Sequence, residues 1–239
     1  MIFNRLLLDP DEIIQRVVDS INKKEPLLLT YLNQHCFNIY CVDGKYKQLL
    51  DTKYEVFQAD LGISLAIKFL KIRKVKRIDA TAMNEMILNK FIRENIPLTI
   101  VGGNFEQDFV RKKADEKAVN LFSYFNGHFK DAQSDKIIKE LDNLNCQAYI
   151  IGMGVPLQEL FAEKLSKVSN SKVIICVGNF LEFYFGTKKR APFFFREIGI
   201  EWIFRLITEP RRLWKRYLIG IPVFIYRILK IKFSSTLSL

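Results

Sequence analysis

Four short apolar runs in this chain break off at glycine or aspartate: Ala59-Asp60-Leu61-Gly62, Val101-Gly102-Gly103-Asn104, Ile151-Gly152-Met153-Gly154 and Val177-Gly178-Asn179. If the runs are strands of a parallel sheet, their ends gather along one edge. Ligands bind at such an edge, and glycines there let phosphates or sugars approach the backbone. Asp60 is the one carboxylate among these strand ends. It suits a general base that takes a hydroxyl proton, and it suits equally well an N-cap for a helix starting near Ile63. Gln158 and Glu159 fall in the first turn of a helix that follows the glycines Gly152 and Gly154, where N–H groups and side-chain amides can hold anionic groups. The bland reading there is a turn cap and an acid that complements the helix dipole.

The elements that must position these residues follow from the apolar pattern. Strands are expected at Leu27–Tyr31, Asn38–Val42, Tyr54–Ala59, Leu98–Val101, Leu121–Tyr124, Ala148–Ile151 and Val173–Val177, and helices at Ile63–Arg73, Thr81–Glu94, Phe105–Val119, Ser134–Leu144 and Pro156–Lys167. Alternation of this kind is the α/β pattern, and runs apolar on both faces belong to a mostly parallel sheet covered by helices. Pro156 is expected just inside its helix.

Composition narrows the classes. The chain has 239 residues, 49% of them hydrophobic, enough for a full core. Its net charge of +11 is uneven: residues 188–239 hold twelve cations against three acids, nine of those eleven charges. The same stretch interleaves Phe193, Phe194, Phe195, Trp202, Phe204, Trp214, Tyr217, Phe224, Tyr226 and Phe233. Cations mixed with large apolar groups suit an anionic, partly greasy partner such as a membrane surface or a lipid diphosphate. The longest late apolar stretch, Leu218 to Leu229, contains Pro222 and Arg227 and falls short of the roughly 20 residues that span a bilayer.

Cys36, Cys41, Cys146 and Cys176 show no paired spacing and read as reduced thiols of a cytoplasmic protein. The N-terminus has too short an apolar run for a signal peptide. No GxGxxG, GxxxxGK[ST] or GxSxG is present, which leaves dinucleotide dehydrogenases, P-loop NTPases and serine hydrolases without support. His35 and His128 lie outside any metal-ligand spacing, and no metal or other cofactor is expected.

Gly152-Met153-Gly154-Val155-Pro156-Leu157-Gln158-Glu159 resembles the GxGxPxQE signature of the WecG/TagA/CpsF glycosyltransferases, glycosyltransferase family 26. Other motifs agree in order. Tyr31-Leu32-Asn33 resembles the early T/Y-L-N motif, Ala59 to Gly62 the A-D-G-x-G motif, and Arg190-Ala191-Pro192 the RAP motif. Gly199 to Leu206 looks like GLEWxxRL, Glu209-Pro210-Arg211-Arg212 like EPxR, and Arg216-Tyr217 like RY. The resemblance covers about residues 27–220. Arg77 to Ala82 stands in the place of RVxGxD, keeping Arg77 and Thr81 but carrying Ala80 and Ala82 instead of the motif Gly and Asp. Leu61 replaces the first Gly of A-D-G-x-G, and Tyr31 stands where many members have Thr. Those departures put the donor pocket's shape in question.

The resemblance implies an α/β fold: a Rossmann-like, largely parallel sheet with helices on both faces, residues 1–190 as the catalytic core, and residues 191–239 as a basic, amphipathic helical C-terminal appendage. It implies an inverting, metal-independent transfer of an N-acetylhexosaminyl-type sugar from a nucleotide diphosphate, expected to be UDP-linked, to a polyprenyl-diphosphate-linked sugar in surface-polymer synthesis. Asp60 matches the proposed catalytic base. Tyr31, Asn33, Arg77, Thr81, Gly152, Gly154, Gln158 and Glu159 are the expected substrate-binding residues, with Gln158 placed to meet the nucleotide. Arg190, Arg205, Arg212 and Arg216 are the expected cations on the departing diphosphate, unless Glu201 and Glu209 pair with some of them. The expected location is the inner face of the cell membrane, held peripherally, with a homo-oligomer as one possible assembly. A non-catalytic scaffold and a nucleic-acid-binding protein are the competing readings, the second disfavoured by the greasy run after Leu218 and the lack of a nucleic-acid motif.

Overall fold

The computed structural model describes residues 1–129, 131–144, 146–169 and 172–236. In chain order the regular elements begin with α1 (Pro10–Lys23), β1 (Leu27–Leu32), α2 (Gln34–Tyr40), α3 (Gly44–Thr52), β2 (Glu55–Gln58), α4 (Leu61–Phe69) and α5 (Ala80–Arg93). They continue with β3 (Leu98–Gly102), α6 (Gln107–Glu116), β4 (Leu121–Phe125), α7 (Asp131–Asp142), β5 (Ala148–Gly152), α8 (Leu157–Ser166), β6 (Val173–Cys176) and α9 (Phe180–Tyr184). The chain closes with α10 (Phe193–Glu197), α11 (Glu201–Thr208), α12 (Pro210–Trp214), a π-helical turn at Lys215–Ile219 and α13 (Gly220–Thr236).

The six strands form one sheet in the order β2-β1-β6-β5-β3-β4, with every neighbouring pair parallel. All six carboxyl ends therefore lie along one edge. β1, β3 and β6 are buried along their whole length, as strands covered on both faces must be. The Rossmann-like α/β expectation is met. Six of the seven expected strands are present to within a residue or so at each end.

The seventh is wrong. Residues 38–40 finish α2, because Asn33 accepts the N–H groups of both His35 and Cys36 and so caps a helix across a stretch whose composition looks β-forming. Cys36 and Phe37 then face the core, while Cys41 is exposed beyond the helix end. Cys36, Cys146 and Cys176 are buried and reduced. Pro156 precedes α8 instead of opening it, and the Val155–Pro156 peptide is cis. α1 has a clear start signal that its Asp9-Pro10 pair supplies: Asp9 accepts the N–H of Asp11, and Pro10 takes the first helical position.

The C-terminal helices are anchored to the core. Phe224 meets Phe37 edge-on, with ring centroids 5.6 Å apart, and Ile228 is buried nearby. Arg227 donates to the carbonyl oxygen of Asn38 at 2.6 Å, and the Asn38 amide donates to the carbonyl oxygen of Gly220 at 2.7 Å. Among the described residues no helix is long and apolar enough to cross a membrane.

Candidate active site

Asp60 stands where β2 has ended and α4 begins. Gln58, buried at the end of β2, donates to the Asp60 carbonyl oxygen at 2.7 Å and to Ser64 Oγ at 2.6 Å, and accepts from the N–H of Ile78 at 2.9 Å. Ser64 Oγ donates to the same carbonyl oxygen, and the Asp60 N–H donates to that of Ile78. This clamp holds Asp60 at φ 87°, ψ 168°, a backbone region occupied almost only by glycine. A residue there costs on the order of 1–3 kcal/mol and persists only where the surroundings over-determine it.

The Asp60 carboxylate accepts the N–H of Ile63 at 2.9 Å and that of Gln34 at 3.0 Å. The helix cap anticipated as an alternative to a chemical role is therefore real, and it does not exhaust the side chain. Burial pushes its pKa up to about 6, against the pull of those N–H groups and of the Arg216 charge. It is ionised near neutrality, yet more basic than an ordinary carboxylate.

A cavity of about 850 Å³ opens against Asp60. Its polar part is lined by Asn33, Gln34, Asp60, Arg77, Thr81, Glu201, Arg205 and Arg216. Asn33 has Oδ1 committed to the α2 cap, which leaves its amide nitrogen for the cavity. Arg77 donates to the carbonyl oxygen of Arg196 at 2.5 Å, tying the α4–α5 connector to α10. Arg205 lies over the Phe183 ring at 4.9 Å, with Nε 3.7 Å from Glu201. Arg216 has a buried Nε that meets no hydrogen-bond partner. The remaining wall is apolar, built from Leu65 and Phe69 of α4 and from Ile221, Phe224, Ile225 and Leu229 of α13.

Not every residue expected at the site reaches this cavity. Arg190 pairs with Asp79 at 2.6 Å, and Asp79 in turn caps α5 and lines the cavity. Arg212 is gripped by both carboxylate oxygens of Glu209, at 2.7 and 2.9 Å. Tyr31 is buried, with its hydroxyl occupying the space that a Cβ at Gly178 would need. Gln158 and Glu159 are 0% exposed. Gln158 accepts the N–H of Gly178 at 2.9 Å and donates to Glu159 at 2.8 Å, and Thr30 donates to the same Glu159 oxygen at 2.8 Å. This network ties the first turn of α8 to β1 and to the turn after β6. Burial raises the Glu159 pKa to about 7, and its second oxygen has no partner.

The strand-end glycines divide likewise. A Cβ at Gly102 would strike the Gly152 backbone, so these two serve close packing of β3 against β5. Gly154, at φ 83°, has open space before it.

Sequence reasoning passed over Gln58, whose signal was a polar side chain closing an apolar strand, and Gln34, which lines the cavity and gives its backbone N–H to Asp60. It also missed Leu65 and Phe69, which look like ordinary core positions of a helix until α13 is seen beside them.

A fully parallel six-stranded sheet covered by helices, with a strained acid and a half-apolar cavity at its carboxyl edge, places the protein in the Rossmann-like α/β class. The family model described as Glycosyl transferase WecG/TagA/CpsF family matches residues 4–237, and the chain belongs to that family and is a glycosyltransferase. It is similar to the N-acetylglucosaminyldiphosphoundecaprenol N-acetyl-beta-D-mannosaminyltransferase of Staphylococcus aureus strain MRSA252, at 27% identity over 209 residues, 86% of this chain and 81% of the relative. The protein of the same name from strain NCTC 8325 / PS 47 is 34% identical over the same length and shares of each chain.

Proposed function

We propose that this enzyme moves an N-acetylhexosaminyl-type sugar from a nucleotide diphosphate donor, UDP-linked on this reading, to a polyprenyl-diphosphate-linked sugar, inverting the anomeric centre. The observation that carries the reading is Asp60: held in a strained backbone, raised in basicity, and set on the wall of a cavity shared with Arg216. Direct displacement at the anomeric carbon requires the acceptor hydroxyl to lose its proton as it attacks, and Asp60 is the base within reach. The bond from sugar to diphosphate breaks as the new glycosidic bond forms, and charge grows on the leaving diphosphate. Arg216 and Arg205 supply compensation, with the Arg216 Nε available to a new acceptor. Asn33, Arg77 and Thr81 offer hydrogen bonds to sugar or phosphate, and open space at Gly154 gives the nucleotide an approach to the sheet edge.

On the same reading Gln158 and Glu159 act from beneath the edge, by fixing the turn at Gly178, and Tyr31 acts by packing. Arg190 positions Asp79. The apolar wall suits the isoprenoid end of the acceptor, and the exposed aromatics of residues 193–233 suit a membrane surface at the cytoplasmic face. The relatives' activity makes N-acetylmannosamine the first donor sugar to try and GlcNAc-diphosphoundecaprenol the first acceptor, in synthesis of a cell-envelope polymer.

The test is a donor panel: purified protein, a series of nucleotide sugars and a synthetic polyprenyl-diphosphate-GlcNAc, read by mass. Transfer from a UDP-N-acetylhexosamine with β product from an α donor is expected. Retention of configuration, or full turnover by Asp60→Asn, overturns the mechanism.

A further inference from the structure

The end of α4 and the connector to α5 carry Lys68, Lys71, Arg73, Lys74, Lys76 and Arg77, six cations with no acid between Asp60 and Asp79. Residues 1–187 hold a net charge of only +2, so without these six cations that part of the chain is net negative by four. Such local concentration does not come from general basicity. The two arginines have structural work: Arg73 donates to the carbonyl oxygens of Phe3, Asn4 and Leu6, and Arg77 to that of Arg196. They pin the segment at two points. Lys68, Lys71, Lys74 and Lys76 are exposed, and Lys68, Lys71 and Lys74 rim a shallow concavity beside Val75.

The patch is not isolated from the greasy C-terminus. Lys232 of α13 sits over the Phe69 ring at 5.9 Å, and Leu65 and Phe69 share the cavity wall with Ile225 and Leu229. Phe69 and Phe233 are 45% and 62% exposed, large for aromatic side chains on a water-facing surface. Lysines flanking exposed apolar groups on two adjoining elements match the headgroup and acyl layers of an anionic bilayer.

We propose that residues 68–76 of the core, together with the adjoining part of α13, form a docking surface for anionic phospholipid, separate from the basic segment at residues 188–216. The surface sets the cavity's apolar mouth, at Leu65, Phe69, Ile225 and Leu229, against the bilayer. Membrane attachment is then a property of the catalytic core as well as of the C-terminal segment. The proposal rests on the reading that the enzyme works at a membrane.

The test uses the full chain and the variant K71Q/K74Q/K76Q, whose three lysines lie outside the cavity lining and carry no ion pair among the described residues. Co-sedimentation is measured with vesicles of phosphatidylcholine alone and of phosphatidylcholine with phosphatidylglycerol. Each lysine near an anionic surface contributes about fivefold in binding, so the triple variant should lose about a hundredfold on the anionic vesicles. Its thermal melt and its turnover on a detergent-dispersed acceptor should match the parent. Unchanged partitioning of the variant, with the parent bound, overturns the patch and leaves the membrane reading intact. A parent that ignores both vesicle types overturns the membrane reading itself. Loss of oligonucleotide binding with lipid binding unchanged reassigns the surface to nucleic acid and overturns the proposal.

Discussion

The Asp60 carboxylate accepts the backbone N–H of Gln34 at 3.0 Å, joining the turn after β2 to the first turn of α2 on the wall of the cavity. The same carboxylate caps α4 through Ile63. The group proposed to accept a proton is thus fixed by two backbone donors from different elements, which aims it without consuming all of its lone pairs.

Asp60→Asn keeps a side-chain oxygen able to accept from Ile63 and removes the base. Turnover should fall about 10²–10⁴-fold. The melting temperature should move by only a few degrees, since one hydrogen bond to a charged group is exchanged for relief from burying a charge. Steady-state kinetics and calorimetry on the same preparation separate the two effects.

Catalysis by ionised Asp60 predicts that kcat/KM rises with pH through about 6 and levels off above. Arg216 pulls the Asp60 pKa down, so Arg216→Gln should shift that acid limb to higher pH. It should also lower the plateau about a hundredfold, through lost stabilisation of the leaving diphosphate. A plateau that drops while the acid limb stays fixed would separate Arg216 from Asp60.

Glu159 titrates with stability. Its pKa stands at about 7 in the fold, above the ordinary 4.5, so the fold favours the neutral acid. That contribution is complete below pH 4.5 and is lost as pH rises through 7. The integrated change is about 3 kcal/mol. Glu159→Gln mimics the neutral form, and urea melts across pH 5 to 9 should show a flatter profile for the variant and higher stability at the alkaline end.

Phe224→Ala removes the ring that meets Phe37 and should cost about 3 kcal/mol in the docking of α13. Because Phe224 also walls the cavity, the KM for a lipid-linked acceptor should rise. Faster hydrogen exchange confined to residues 220–236, with the sheet unaffected, would locate the loss.

The sheet was readable because its strands are nearly continuous apolar runs, and periodicity reports burial on both faces. Residues 38–42 misled for the same reason: NIYCV is apolar enough for a strand, and only the Asn33 cap assigns its first part to a helix. Asp60 was legible by motif and strand-end position, but its backbone strain depends on Gln58, Ser64 and Ile78 acting together, which no local pattern shows. The fates of the arginines were less accessible still. Arg190 and Arg205 look alike in sequence, and partners 111 residues away for one and 4 for the other decide which faces the cavity.

The conformation of Asp60 also bears on how the chain would respond to selection. Glycine at position 60 would relieve a strain on the order of 1–3 kcal/mol and the burial of a charge, against a cap that glycine replaces at a cost of a few tenths and the loss of the acceptor for the Gln34 N–H. If Asp60 is the base, a screen for heat resistance alone that selected Asp60→Gly would return sturdier but inert survivors. On the proposed mechanism, stability and chemistry call for different residues at this position.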